Sequence, residues 1–87
     1  MAFCLTPHSS EWFDALLATN PQQAIHTAQI IRSAGHEAVC SICGDEPARD
    51  YRVDGQMLVD RIVATIRLCN DCRSIRRLQY GERYSPL

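Results

Sequence analysis

An α+β fold is predicted for this 87-residue chain, with an N-terminal helical pair packed on a small C-terminal half that is pinned by cysteines. Three observations predict it. Residues 9–35 carry two apolar stripes at helical spacing, each with its own start signal. Residues 49–53 alternate as a strand does and are followed by the turn pair Asp54-Gly55. Cys40-Ser41-Ile42-Cys43 and Cys69-Asn70-Asp71-Cys72 are two C-x-x-C pairs separated by 25 residues.

The first helix starts at Ser9 or Ser10, either of which can cap it. Glu11 and Asp14 sit in its first turn, where the dipole favours carboxylates. Trp12, Phe13, Leu16 and Leu17 form its apolar stripe. Asn20-Pro21-Gln22-Gln23 opens a second helix, with Asn20 as cap, Pro21 at the first helical position and Gln23 placed to complete a capping box. Its stripe is Ala24, Ile25, Ala28 and Ile31. Gly35 suits a left-handed cap at its end. Residues 9–35 therefore form a helical hairpin.

Gly44 directly follows the first cysteine pair. A glycine there lets the backbone turn and direct amides at the sulfurs. Arg49-Asp50-Tyr51-Arg52-Val53 reads as a strand. Residues 56–68 fit either a strand or a helix, and the β-branched content together with the preceding turn favours a strand. Residues 73–80 read as a helix stopped by Gly81, with Ile75 and Leu78 inward beside Cys72 and with Arg73, Arg76 and Arg77 outward. Tyr84-Ser85-Pro86-Leu87 reads as a loose tail. The whole is one domain, 1–87, in which 39–80 is the cysteine-bound module.

Each C-x-x-C pair can bend into a tight turn that aims two sulfurs at one point. Two such turns make a tetrahedron of thiolates, which is the ligand set of one structural zinc ion. Cys40, Cys43, Cys69 and Cys72 are the predicted ligands. Four protein thiolates leave no open position, so the ion would hold structure and not perform catalysis. Arg67 and Arg73, each within two residues of the second pair, are placed to offset the thiolate charge. His36, four residues before Cys40, is the one alternative ligand. Cys4 reads as a small apolar residue. His8 and His26 read as surface or helix-face residues.

The order of cysteine turn, hairpin, and cysteine pair opening a helix resembles the treble-clef group of zinc fingers over residues 39–80. That group is a structural class with many functions, so the resemblance implies a fold more than an activity. Cys40-Ser41-Ile42-Cys43-Gly44-Asp45, with Tyr51 and Val53, also resembles the opening of a nuclear-receptor finger. That family's second pair comes much sooner and is followed by a second four-cysteine module, which this chain lacks. Val59-Asp60-Arg61-Ile62 is similar to the segment that holds the general base of HNH nucleases, a histidine. Arg61 stands at that position, and an arginine stays protonated and cannot take a proton from water. No histidine lies between Cys43 and Cys69. Nuclease chemistry is thereby set aside, and no other catalytic set is legible. The chain is expected not to be an enzyme.

Composition narrows the function classes further. With 46% hydrophobic and 22% charged residues, the chain is not a disordered polyelectrolyte. All nine basic residues are Arg, and the net charge is -1. Residues 40–87 carry eight Arg against seven Asp or Glu, a net of +1, which is a weak field for nucleic acid. No stretch approaches the ~18 apolar residues of a membrane span. The first residues lack the basic and apolar regions of a secretion signal. A cytoplasmic setting is expected, where thiols stay reduced and paired cysteines serve as metal ligands. The best hint of a partner surface is Arg73, Arg76, Arg77, Tyr80 and Arg83, since Arg and Tyr suit both protein hot spots and phosphate contacts. A protein-interaction or adaptor module is the first expectation. A nucleic-acid-binding regulator reading through Arg73, Arg76 and Arg77 is the alternative. A zinc-thiolate redox switch is a third. No motif specifies an oligomeric state.

Overall fold

A computed structural model describes residues 5–54 and 65–87. The described residues form three helices and one three-stranded antiparallel sheet, in the order α1 (Ser10–Thr19), α2 (Pro21–Ala34), β1 (Ala48–Asp54), β2 (Thr65–Cys69), α3 (Asn70–Tyr80) and β3 (Arg83–Pro86). The α+β expectation holds.

The N-terminal helices form where their caps dictate. The Ser9 hydroxyl accepts from the Trp12 amide at 3.2 Å and satisfies one otherwise orphaned donor of α1. Asn20 serves both helices. Its amide closes α1 on the Leu16 carbonyl at 2.6 Å, and its side chain opens α2 by accepting from the Gln23 amide at 3.3 Å. Gly35 ends α2 at φ 80.

The buried faces are narrower than the apolar stripes. Trp12 and Leu16 are fully buried, but Leu17 is exposed. On α2 the buried residues are Ala24 and Thr27, whereas Ile25 and Ala28 face solvent. The reason is polar. Thr27 Oγ1 donates to the Ser41 carbonyl at 3.0 Å, and Gln23 Nε2 donates to Thr27 Oγ1 at 3.0 Å and approaches the Ser41 carbonyl at 3.4 Å. These bonds rotate α2 toward the cysteine turn. They also engage the Gln23 side-chain amide away from the capping box predicted for it.

The sheet is ordered β2-β1-β3, with both pairs antiparallel. Arg49 pairs with Leu68 and Tyr51 with Ile66 on one side, while Val53 pairs with Tyr84 on the other. One expectation is corrected here. The C-terminal residues are not a loose tail, because Arg83–Pro86 adds a strand to β1. The Tyr84 ring then meets the Tyr51 ring at 6.0 Å, edge to face. On the other side of β1, the described residues pair from Thr65 to Cys69, in line with the strand reading of that end of the ambiguous segment. The Asp54-Gly55 turn, residues 56–64 and Cys4 lie outside the described residues, and only the end of the ambiguous segment, from Thr65, is seen as strand.

The open edge of β2 is covered rather than exposed. Trp12 Nε1 donates to the Thr65 carbonyl at 3.0 Å. The Ser41 amide donates to the Arg67 carbonyl at 2.7 Å, and the Arg67 amide donates to Ser41 Oγ at 3.3 Å. The sheet therefore offers no free hydrogen-bonding edge there. Trp12, Leu16 and Ala24 share one core with Cys40, Tyr51, Val53, Ile66, Leu68, Cys69 and Cys72, so the helical pair and the cysteine module are folded together.

Deleting residues 83–87 tests the third strand. An aromatic pair of this kind is worth about 1 kcal/mol, which in a domain of this size corresponds to ~4–8 °C in Tm. Thermal denaturation of the truncated chain is expected to show at least that loss, whereas a tail would leave Tm unchanged.

Candidate metal centre

Two turns bring the four cysteines together. In the first, Cys40 leads into a tight bend in which the Gly44 amide donates to the Cys40 carbonyl at 3.1 Å and the Cys40 amide donates to the Asp45 carbonyl at 3.0 Å. Gly44 sits at φ 82, and a Cβ there would lie 3.0 Å from Ile30 Cγ2. The position needs glycine for its backbone angle and for its space. In the second turn, Cys69 caps α3. Its sulfur accepts from the Cys72 amide at 3.4 Å, which places Cys72 in the first turn of that helix.

The four Sγ atoms all lie within 4.8 Å of one another, and Cys43 Sγ and Cys69 Sγ are 3.5 Å apart. A tetrahedron with metal–sulfur bonds of about 2.3 Å has sulfur–sulfur edges of roughly 3.8 Å, so the cluster can hold one metal ion. Soft thiolates in that arrangement suit zinc. Cys40, Cys69 and Cys72 are buried, and Cys43 is exposed.

The surroundings favour thiolates unevenly. Burial pushes the Cys40 thiol up, but the amides of Cys43, Cys69 and Ile42 together with the Cys43 side chain outweigh it and leave Cys40 below its ordinary value. The Ile42 amide lies 3.4 Å from Cys40 Sγ. Burial pushes the Cys43 thiol up to about 11 and raises that of Cys72 as well. Without a metal these two thiols keep their protons at neutral pH.

The predicted counter-charges lie elsewhere. Arg67 forms a two-pronged ion pair with Asp50, at 2.6 and 3.1 Å, and donates to the Glu37 carbonyl at 2.7 Å. The Arg73 guanidinium stands 5.7 Å from the centre of the Tyr51 ring, in cation–π range. Amides and the start of α3 do what Arg67 was expected to do at the sulfurs.

His36 is not a ligand. Its Nε2 pairs with Glu46 Oε1, and its Nδ1 accepts from the Ala38 amide at 3.3 Å. His26 is exposed, yet its ring nitrogen donates to the Ile42 carbonyl at 2.8 Å and braces the first turn from α2. His8 is not a surface residue. It is buried, with Nδ1 2.7 Å from the Glu37 carbonyl and Nε2 2.6 Å from Ser41 Oγ. A carbonyl only accepts, so Nδ1 carries the proton. Nε2 then accepts from the Ser41 hydroxyl, whose oxygen takes the Arg67 amide. Burial lowers the His8 pKa, outweighing the Glu37 carbonyl that raises it, and nearby Arg67 lowers it further, so the ring is neutral. Sequence reasoning missed His8, Thr27 and Ser41 as supports of the centre. Only Ser41, lying between two candidate ligands, carried a signal that could have found one of them.

The predicted partner residues separate. Arg73, Arg77 and Arg83 are exposed, and together with Ser74 and Tyr84 they line a cleft of about 300 Å³ between α3 and β3. Arg76 turns the other way, with Nε 3.4 Å from Oε1 of the fully buried Glu82. Ile75 and Leu78, expected inward, are instead 52% and 86% exposed. The Arg76–Glu82 contact fixes the rotation of α3 and places those two side chains outside. Tyr80 is the last residue of α3, and its side chain lies outside what the structure describes. No described helix is long and apolar enough to cross a membrane. No protein family, characterised protein or solved structure matches the chain.

Two outcomes are expected. Metal binding at about pH 7 releases protons, because Cys43 and Cys72 must lose theirs. Since protons compete with the metal for the thiolates, affinity falls as pH falls. An indicator dye during metal addition and a chelator competition across pH measure both effects. Gly44→Ala is expected to destabilise the fold by at least ~1 kcal/mol more than Gly35→Ala in urea denaturation. Both carry the left-handed backbone cost of roughly 1–2 kcal/mol, but only Gly44 meets a neighbour, since nothing lies within 4 Å of a Cβ at Gly35.

Proposed function

We propose that this chain is a small non-enzymatic protein, built on one structural zinc ion, that docks another protein through α3. The observation that carries the reading is the exposure of Ile75 and Leu78, at 52% and 86%, on the helix that the second cysteine pair anchors. They are one turn apart and therefore share a face. Apolar side chains on a rigid helix beside arginines are the composition of a protein contact surface. Zinc supplies the rigidity. Four cysteine ligands close its shell, which supports a structural role and not a catalytic one.

The nucleic-acid alternative draws its support from Arg73, Arg77 and Arg83 around one cleft. It is weakened by Arg76, which pairs with Glu82 inside the fold, and by the net charge of -1. Redox switching draws support from the exposure of Cys43, the one ligand open to an oxidant.

Elemental analysis of protein purified without chelator is expected to give one zinc per chain, with loss of the circular dichroism signal on chelation. The double variant Ile75→Ser/Leu78→Ser tests the docking surface. It should keep zinc and stability, within about 0.5 kcal/mol, because both side chains are already in water. It should weaken binding of a purified partner by roughly 10–100-fold. Unchanged affinity in the double variant would remove α3 as the docking face.

A further inference from the structure

We propose that the cleft between α3 and β3 binds a phosphate monoester carried on a side chain of the protein partner. The inference rests on the reading of α3 as a docking surface and names the chemistry that surface recognises. Arg73 and Arg77 are four residues apart on α3, and Arg83 opens β3 just beyond the Gly81 turn. With Ser74 and Tyr84 they enclose about 300 Å³. Among the described residues, no carboxylate lies within 4.0 Å of any of the three guanidinium groups. The adjacent acid, Glu82, is fully buried, with Oε1 3.4 Å from Arg76 Nε and its charge also acting on the hydroxyl of Tyr84, so it does not present a carboxylate to the solvent side of the cleft.

Three like charges lining one cleft repel one another, and an anion relieves that repulsion. A phosphate monoester carries about -1.5 to -2 at neutral pH and presents three acceptor oxygens. Guanidinium forks match such oxygens two at a time, and Ser74 adds a hydroxyl donor. A carboxylate has one charge and two oxygens and would leave part of this set unsatisfied. Arg73 is held in advance by its position over the buried Tyr51 ring, which lowers the entropy lost on binding.

The neighbouring surface favours a phosphorylated protein segment over a nucleic acid. Going round α3 from Arg73 and Arg77, the next positions are Ser74, then Leu78, then Ile75. A peptide with its phosphate in the cleft would lay flanking apolar residues on Leu78 and Ile75. A nucleic-acid strand needs a succession of cations instead, and here the three arginines line a single cleft beside exposed apolar side chains.

Fluorescent peptide pools, degenerate except for a central phosphoserine, phosphothreonine or phosphotyrosine, and the same pools without phosphate, test this on the zinc-loaded full chain. Anisotropy is expected to show the phosphorylated pools binding at least tenfold tighter. Arg77→Ala and Arg83→Ala should each lose at least tenfold, while Arg32→Ala, which removes the same charge from exposed α2, should change nothing. The Nε–H signals of Arg73, Arg77 and Arg83 in nitrogen-15 NMR should shift on addition of the phosphorylated pool. Equal binding of both pools overturns the phosphate inference and leaves the docking surface standing. Binding of free phosphoserine without binding of the peptides overturns it in favour of a small-molecule site. Salt-steep binding of a single-stranded oligonucleotide with no phosphopeptide binding overturns it in favour of nucleic acid. No binding by any probe overturns it outright.

Discussion

The convergence of four sulfurs within 4.8 Å is the constraint on which the rest of the structure depends. It ties the turn after α2 to the point where β2 becomes α3, across 25 residues of sequence. Cys69 is at once a candidate ligand, the last residue of β2 and the cap of α3. A metal held there would fix strand end, helix start and first turn together. A chain of this size buries too little apolar surface to be strongly stable without such help. The raised thiols of Cys43 and Cys72 show the converse. Without a cation, burial of these two sulfurs favours protons on them.

A second layer of polar contacts holds the first turn from behind. Ser41 lies between two candidate ligands, and every polar atom it has is used. Its amide and hydroxyl engage Arg67, its carbonyl accepts from Thr27, and its hydroxyl donates to His8. Thr27 belongs to α2, Arg67 to β2 and His8 to the segment before α1, so one serine joins three parts of the fold. These groups are buried, and each bond spares the cost of an unmet polar atom, about 1–3 kcal/mol. This explains why α2 packs through Thr27 while Ile25 stays in water. The polar partners set the rotation, and the apolar residues fill the space that remains.

The third helix follows the same logic with a functional consequence. Its inward position is occupied by Arg76, which meets the buried Glu82, and not by Ile75 or Leu78. Putting a charge pair inside and two aliphatic side chains outside is unfavourable for an isolated domain. It becomes understandable if the outer face is covered in use. The remaining arginines of the same region, Arg73, Arg77 and Arg83, border that face around a single cleft. One helix therefore combines an anchor at the cysteine cluster, an internal ion pair and a mixed apolar and cationic surface.

The sequence by itself determined what is local. Ser9, Asn20, Pro21, Gly35, Gly44 and Gly81 each state a cap or turn within a few residues, and the two cysteine pairs announce their own geometry by spacing alone. The start and end of α2, the end of α3, the 49–53 strand and the cysteine cluster that could hold a metal were legible for that reason, although α3 begins at Asn70 and not at residue 73. Tertiary structure decided which face of each element is buried and where each charge goes. His8 finds its partners 29 and 33 residues away, and Arg67 meets Asp50 at a separation of 17. β3 exists because β1 offers it an edge, which nothing in Arg83–Pro86 declares. Apolar periodicity misplaced Ile25, Ile75 and Leu78 because it ranks residues by hydrophobicity. The fold instead chose rotations that gave buried polar groups such as Ser41 and Thr27 their hydrogen bonds, and the partners of Ser41 lie 14 to 33 residues away.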